Sequence, residues 1–159
     1  MGLDLDKLVR MNRREFLAVA LVGPLAPASY GAPLHPAVSI LRSGALGQID
    51  FARTFLHVPL LPGSAPEDPH DAESWSRYWL TQVSAVLGSE PIHARAIGGE
   101  MAEFEFPGTR VEWEHRVFTG LLGDRVETGA YFYGSKGILH MQRGNRWTLH
   151  PHAGEVRLS

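Results

Sequence analysis

The sequence predicts an α+β fold, a mostly antiparallel open β-sheet with two helices packed on one face, and three observations carry that prediction. From Thr109 the chain alternates, with Val111, Trp113, His115 and Val117 on one side and Arg110, Glu112, Glu114 and Arg116 on the other. A period of two over that length belongs to a half-exposed strand. Three further runs follow before Pro151, joined by turns such as Gly134-Ser135-Lys136-Gly137 and Gly144-Asn145, which reads as an antiparallel meander. Upstream, two stretches carry apolar residues at helical spacing, and they stop at Gly44 and Gly88.

At 159 residues there is room for one domain. The formal net charge is −2 and no basic patch stands out, so no nucleic-acid partner is expected. There is no cysteine, which removes disulfides, thiolate chemistry and cysteine-ligated zinc. No apolar run is long enough to span a bilayer as a mature helix, and no membrane partner is expected once the N-terminal segment is removed.

That segment reads as an address. Residues 11–28 are MNRREFLAVALVGPLAPA, a charged start, a short apolar stretch and a small-x-small site at Ala26-Pro27-Ala28. Arg13 and Arg14, followed by Phe16-Leu17, resemble the twin-arginine export signal. Asn12 stands where that signal often has Ser or Thr. Asp4 and Asp6 dilute the charge ahead of it, and Met11 is an alternative start. The expected division is residues 1–28 as signal and 29–159 as domain, with a periplasmic or extracytoplasmic destination.

The domain then reads in order. His35-Pro36 opens a helix with Pro at an early position, where its missing N–H is harmless. Ala37, Val38, Ile40 and Leu41 form its stripe. A strand from Gln48 to Val58 does not alternate cleanly, which predicts burial on both sides or a bulge. Residues 59–72 hold Pro59, Pro62, Pro66 and Pro69 and read as a long loop. Asp71 or Ser74 is the expected cap of the second helix, whose Trp75, Tyr78, Trp79, Val83, Val86 and Leu87 share a face. Strands follow at Ile92–Ile97 and Met101–Phe106, the latter alternating Ala102, Phe104 and Phe106 against Glu103 and Glu105.

Five blocks together resemble the C-terminal domain of the Gfo/Idh/MocA oxidoreductases. They are Leu41 to Ile49 (LRSGALGQI), Leu87 to Pro91 (LGSEP), Phe104 to Gly108 (FEFPG), Val111 to Glu114 (VEWE) and Tyr133 to Leu139 (YGSKGIL). The resemblance implies a sheet domain that shapes a sugar or polyol pocket and builds oligomers, beside a Rossmann domain that binds NAD or NADP. It also implies where catalysis would sit, and there the sequence departs. No G-x-G-x-x-G occurs in it. The family's Glu-Lys-Pro segment has no counterpart, and beyond residue 28 the one lysine is Lys136, in the Gly-Ser-Lys-Gly turn. On the helix ending at Gly88, the family's Asp-x-x-x-His positions fall on Ser74 and Tyr78. Tyrosine, with a pKa near 10, is a poor base at neutral pH. No catalytic residue is assigned, and no cofactor is expected to bind this chain alone.

Other chemistry is thinner. His150 and His152 alternate on one strand with His140 nearby, but a zinc or copper site needs three or four convergent ligands, and no metal residue is assigned. Asp68, His70 and Asp71 read as a solvated loop rather than an acid–base group. Cross-strand ion pairing on an exposed sheet accounts for Glu112 and Glu114 beside Arg110 and Arg116. Trp75, Tyr78 and Trp79 have two readings, packing against the sheet or a ligand-binding platform for a sugar ring. The expected partners are a second copy of the chain through the sheet face, a Rossmann-domain chain, and a sugar or polyol. The sequence alone also admits a truncated gene remnant.

Overall fold

The computed structural model describes residues 33–60, 69–98, 101–119 and 127–152. Its elements are α1 (Ala37–Arg42), β1 (Ile49–Leu60), α2 (Pro69–Leu87), β2 (His93–Gly98), β3 (Met101–Phe106), β4 (Thr109–Thr119), β5 (Glu127–Gly134), β6 (Gly137–Gln142) and β7 (Arg146–Pro151). The strands form one sheet in the order β2-β3-β4-β1-β5-β6-β7. This is the expected α+β class, a mostly antiparallel sheet with two helices. The segment with Arg13 and Arg14 lies outside the described residues.

Strand adjacency differs from the expected meander. β4 and β5 are not neighbours, because β1 lies between them. It runs parallel to β4, with Ala52 opposite Val111, and antiparallel to β5, with Ala52 opposite Phe132. Two meanders flank it, β2-β3-β4 and β5-β6-β7. Alternation decides which face a side chain takes and leaves open which strand lies alongside. The register of β1 shifts between Ile49 and Phe51, the irregularity that its uneven pattern foretold.

The proline-rich loop is shorter than expected. β1 continues to Leu60 and α2 begins at Pro69, so Asp71 and Ser74 lie inside the helix rather than at its cap. A proline in the first turn needs no hydrogen-bond partner for a missing N–H. At the other end Gly88, with φ 65°, donates its N–H to Ser84 O at 2.8 Å and turns the chain out of the helix.

One face of the sheet meets the helices. Ala52, Leu56 and Val58 of β1, Phe104 and Phe106 of β3, Val111 and Trp113 of β4, Ala130 and Phe132 of β5, and Leu139 and Met141 of β6 are all buried there. Trp79, Leu80 and Val83 of α2 and Ala37, Val38 and Leu41 of α1 close the core. The Gly-Ser-Lys-Gly turn is tied to the α1–β1 connection, where Ser135 N–H donates to Gln48 O at 2.9 Å and Lys136 N–H to Leu46 O at 3.0 Å. A side chain at Gly134 would run into the Leu46 carbonyl and its Cβ, so only glycine fits this approach.

His35, 2% exposed, fastens the start of α1 to the far end of the sheet. Its Nδ1 accepts the Ala37 N–H at 3.1 Å, so the proton sits on Nε2, which faces the carbonyls of Gln142 and Arg146, both at 3.1 Å. Its own N–H donates to Gln82 Oε1 on α2 at 2.7 Å. Each such bond contributes about 1 kcal/mol, and the bonds to the two carbonyls are part-buried. His35→Ala is expected to lower unfolding free energy by about 2–3 kcal/mol in urea titration, on the same per-bond scale.

Candidate functional site

The pleat of the central strand defines the first candidate region. Ala52, Thr54, Leu56 and Val58 point to the helices, so Phe51, Arg53, Phe55 and His57 point to the opposite face. Registers place Arg110, Glu112, Glu114 and Arg116 beside them on one side, and Tyr131 and Tyr133 on the other. His140 follows on β6, opposite Tyr131. Among the described residues no helix packs on this face.

Its electrostatic centre is Glu114, 1% exposed. The expectation of ion pairs on an exposed sheet holds for Arg110, which lies 3.9 Å from Glu103 and 4.0 Å from Glu112. It fails for Glu114, which is buried between Arg53 of β1 and Arg116 of its own strand, with His57 Nε2 at 3.4 Å. The reason is position: β4 is an inner strand, and long arginine side chains from two strands fold over the carboxylate. Burial alone would push its pKa up. The Arg53 hydrogen bond, the Arg53 and Arg116 charges and the His57 contact outweigh it and hold Glu114 below the usual carboxylate range.

Rings tile the rest of the face. Tyr131 and His140 stack at 4.0 Å with 9° between planes, over Phe55, whose ring centroid is 5.8 Å from that of Tyr131. Phe51 lies 5.4 Å from Tyr133 and carries the Arg110 guanidinium above it. His140 shares a hydrogen bond with Gln142, while its Nε2 is buried without a partner. Burial, then the neighbouring His150, pushes the His140 pKa down, against a smaller opposing effect of Glu127.

The second region is the end of the sheet at the β6–β7 turn. A cleft of about 730 Å³ there is lined by Phe55, Glu127, Tyr131, His140, Arg143 and Arg146, with Thr128 and Gln142. On its helix side Arg143 and Gly144 join Ser74, Trp75 and Tyr78 around a cavity of about 410 Å³. The three aromatic residues singled out on α2 separate here. Trp79 is fully buried and donates its indole N–H to Thr128 Oγ1 at 2.7 Å. Trp75 and Tyr78 are half-buried at the cavity, with the Arg143 guanidinium 5.4 Å from the Trp75 ring centroid. Burial raises the Tyr78 pKa further, so its hydroxyl is still less a base.

His152 turns to the Gly134 carbonyl at 3.1 Å, and among the described residues no group of three or more His, Asp or Glu side chains is placed to hold a metal ion. Asp68, and the side chains of His70 and Asp71, lie outside what is described. Arg53, Tyr131, Arg143 and Arg146 escaped sequence reasoning. The alternation of 131–133 with 138–142 carried a signal for Tyr131, but nothing local links Arg143 to Trp75.

No protein-family model matches the chain, and no curated protein matches it in sequence. Solved structures do. A protein of Magnetospirillum magnetotacticum MS-1 assigned as an oxidoreductase is 19% identical with a TM-score of 0.49, over 79% of this chain and 44% of that one. UDP-N-acetylglucosamine 3-dehydrogenase from Acidithiobacillus ferrooxidans is 17% identical with a TM-score of 0.45, over 74% and 40%. An oxidoreductase from Agrobacterium radiobacter, solved with NAD+, L-tartaric acid and magnesium, is 15% identical with a TM-score of 0.46, over 73% and 39%. The chain spans about two fifths of the length of these oxidoreductases.

Two outcomes follow. Glu114 has a lowered folded-state pKa, so its contribution is present above the unfolded value, about 4.3, and is lost as pH falls through the folded one. Glu114→Gln is expected to lose about 1–2 kcal/mol at pH 6, kept small by the half-exposed arginines, and the gap to the parent should close below about pH 4. Second, Trp79→Ala is expected to lose about 3–5 kcal/mol, whereas Trp75→Ala should keep a cooperative melt with less than half that loss. Equal losses would make Trp75 a core residue.

Proposed function

We propose that this chain works by binding: an exported, non-catalytic derivative of an oxidoreductase sheet domain that associates through the open face of its sheet and holds a carbohydrate-like ligand at the sheet's end. The observation that carries the reading is the open face itself. Seven strands at about 4.8 Å spacing and six or more residues long present roughly 600 Å² of projected surface, close to one partner's share of a standard interface. That face is apolar in its rings and fixed in its charges. Glu114 pins Arg53 and Arg116, so little side-chain freedom remains to be lost on association. A twofold arrangement puts the same ring rows against each other.

The non-catalytic part rests on Ser74 and Tyr78 at the positions where the resembled family has Asp and His, and on the raised pKa of Tyr78. Export rests on Arg13 and Arg14. A second reading makes the chain the substrate part of an NAD(P)-dependent oxidoreductase whose nucleotide-binding domain is another chain. The two half-buried aromatic residues and Arg143 around the 410 Å³ cavity favour a retained ligand pocket in either case.

Light scattering with size-exclusion chromatography on the full chain tests association. A dimer or larger species is expected at micromolar concentration. Tyr133→Asp, on the open face, should weaken it at least about tenfold, the equivalent of 1.4 kcal/mol. Ser39→Asp, exposed on α1, should leave it unchanged. A monomer throughout, with an intact cooperative melt, would sink the association reading.

A further inference from the structure

We propose that the cleft at the β6–β7 turn binds a hydroxylated monocarboxylic acid of the uronic- or aldonic-acid type, read by Arg143 and Arg146. This deepens the ligand-binding half of the function proposed above and adds a charge requirement to it.

The requirement comes from unbalanced cations. Arg53 and Arg116 are paired with Glu114, Arg95 with Glu103, and Arg110 lies between Glu103 and Glu112. Arg143 and Arg146 line the same cleft as Glu127, and among the described residues neither forms an ion pair. The lining thus holds two guanidinium groups against one carboxylate, Glu127, an excess of one positive charge that a single anionic group would balance.

The chemistry of the guanidinium group favours a planar anion. The Arg143 guanidinium lies over Trp75, and Trp75 stacks with the fully buried Trp79 at 6.3 Å and 19°. The arginine is thus held against a ring anchored in the core. A guanidinium is a planar fork of N–H donors that matches both oxygens of a carboxylate. Lysine, a point charge without that fork, would not substitute.

The walls narrow the rest of the molecule. The cleft, at about 730 Å³, is in the size range of small-molecule sites. The stacked Tyr131 and His140 and the ring of Phe55 offer apolar faces for a ring or chain, and the Gln142 amide offers polar atoms for hydroxyl groups. Glu127, in the same lining, accepts hydroxyl hydrogens and repels a second negative charge. A single carboxylate therefore fits better than a phosphate dianion.

Calorimetric titration of the full chain with D-glucuronate, D-glucose, acetate and inorganic phosphate tests this. Glucuronate is expected to bind at least about tenfold more tightly than the other three. Arg143→Lys and Arg146→Ala should each weaken it about tenfold with the melt unchanged. Glucose binding as tightly as glucuronate would overturn the charge requirement and leave the carbohydrate reading standing. Phosphate binding more tightly would overturn the choice of carboxylate. No heat from any of the four at millimolar concentration would overturn the ligand site altogether, while association, measured separately by mass, would be untouched.

Discussion

The structure depends on the parallel contact between β1 and β4. A sheet of hairpins alone would place β4 beside β5 and leave β1 at an edge. Here β1 is the middle strand, bonded along most of its length on both sides. Two threonines reinforce the junction: Thr54 Oγ1 donates to Glu112 O at 2.9 Å, and Thr109 Oγ1 to Ile49 O at 2.7 Å. Because side chains alternate along a strand, this one placement builds the core with Ala52, Leu56 and Val58 and the open face with Arg53, Phe55 and His57. A slip of one residue would put Arg53 in the core and Thr54 beside Glu114.

Burying Glu114 is the most demanding electrostatic feature of the fold. A carboxylate taken out of water is unfavourable unless several donors replace its hydration. Two arginines and a histidine do so, and both arginines keep part of their surface in water. The cluster therefore adds little to stability for its size, and its larger consequence is order. It fixes long side chains in the middle of a face that would otherwise be mobile and wet.

The helix side and the open face meet at the β6–β7 turn. Here His35 reaches the carbonyls of Gln142 and Arg146 from the start of α1, and Arg143 lies over Trp75 of α2. The turn is held from below by a buried histidine and from the side by an indole. A binding group gains from such support, since a side chain already restrained loses less entropy on binding a ligand.

The sequence by itself determined the elements and the faces. The alternation of Val111, Trp113 and His115 against Arg110, Glu112 and Glu114, the apolar stripe ending at Gly88, and the turns at Gly134 and Gly144 are local signals, because dihedral preference and side-chain period act over a few residues. Tertiary structure decided who stands beside whom. The insertion of β1 between β4 and β5, the burial of Glu114 under Arg53, the withdrawal of Trp79 into the core while Trp75 stayed at the surface, and the pairing of Trp75 with Arg143 all join residues far apart in the chain. Such contacts follow from the packing of whole elements, and short-range patterns of polarity do not encode them.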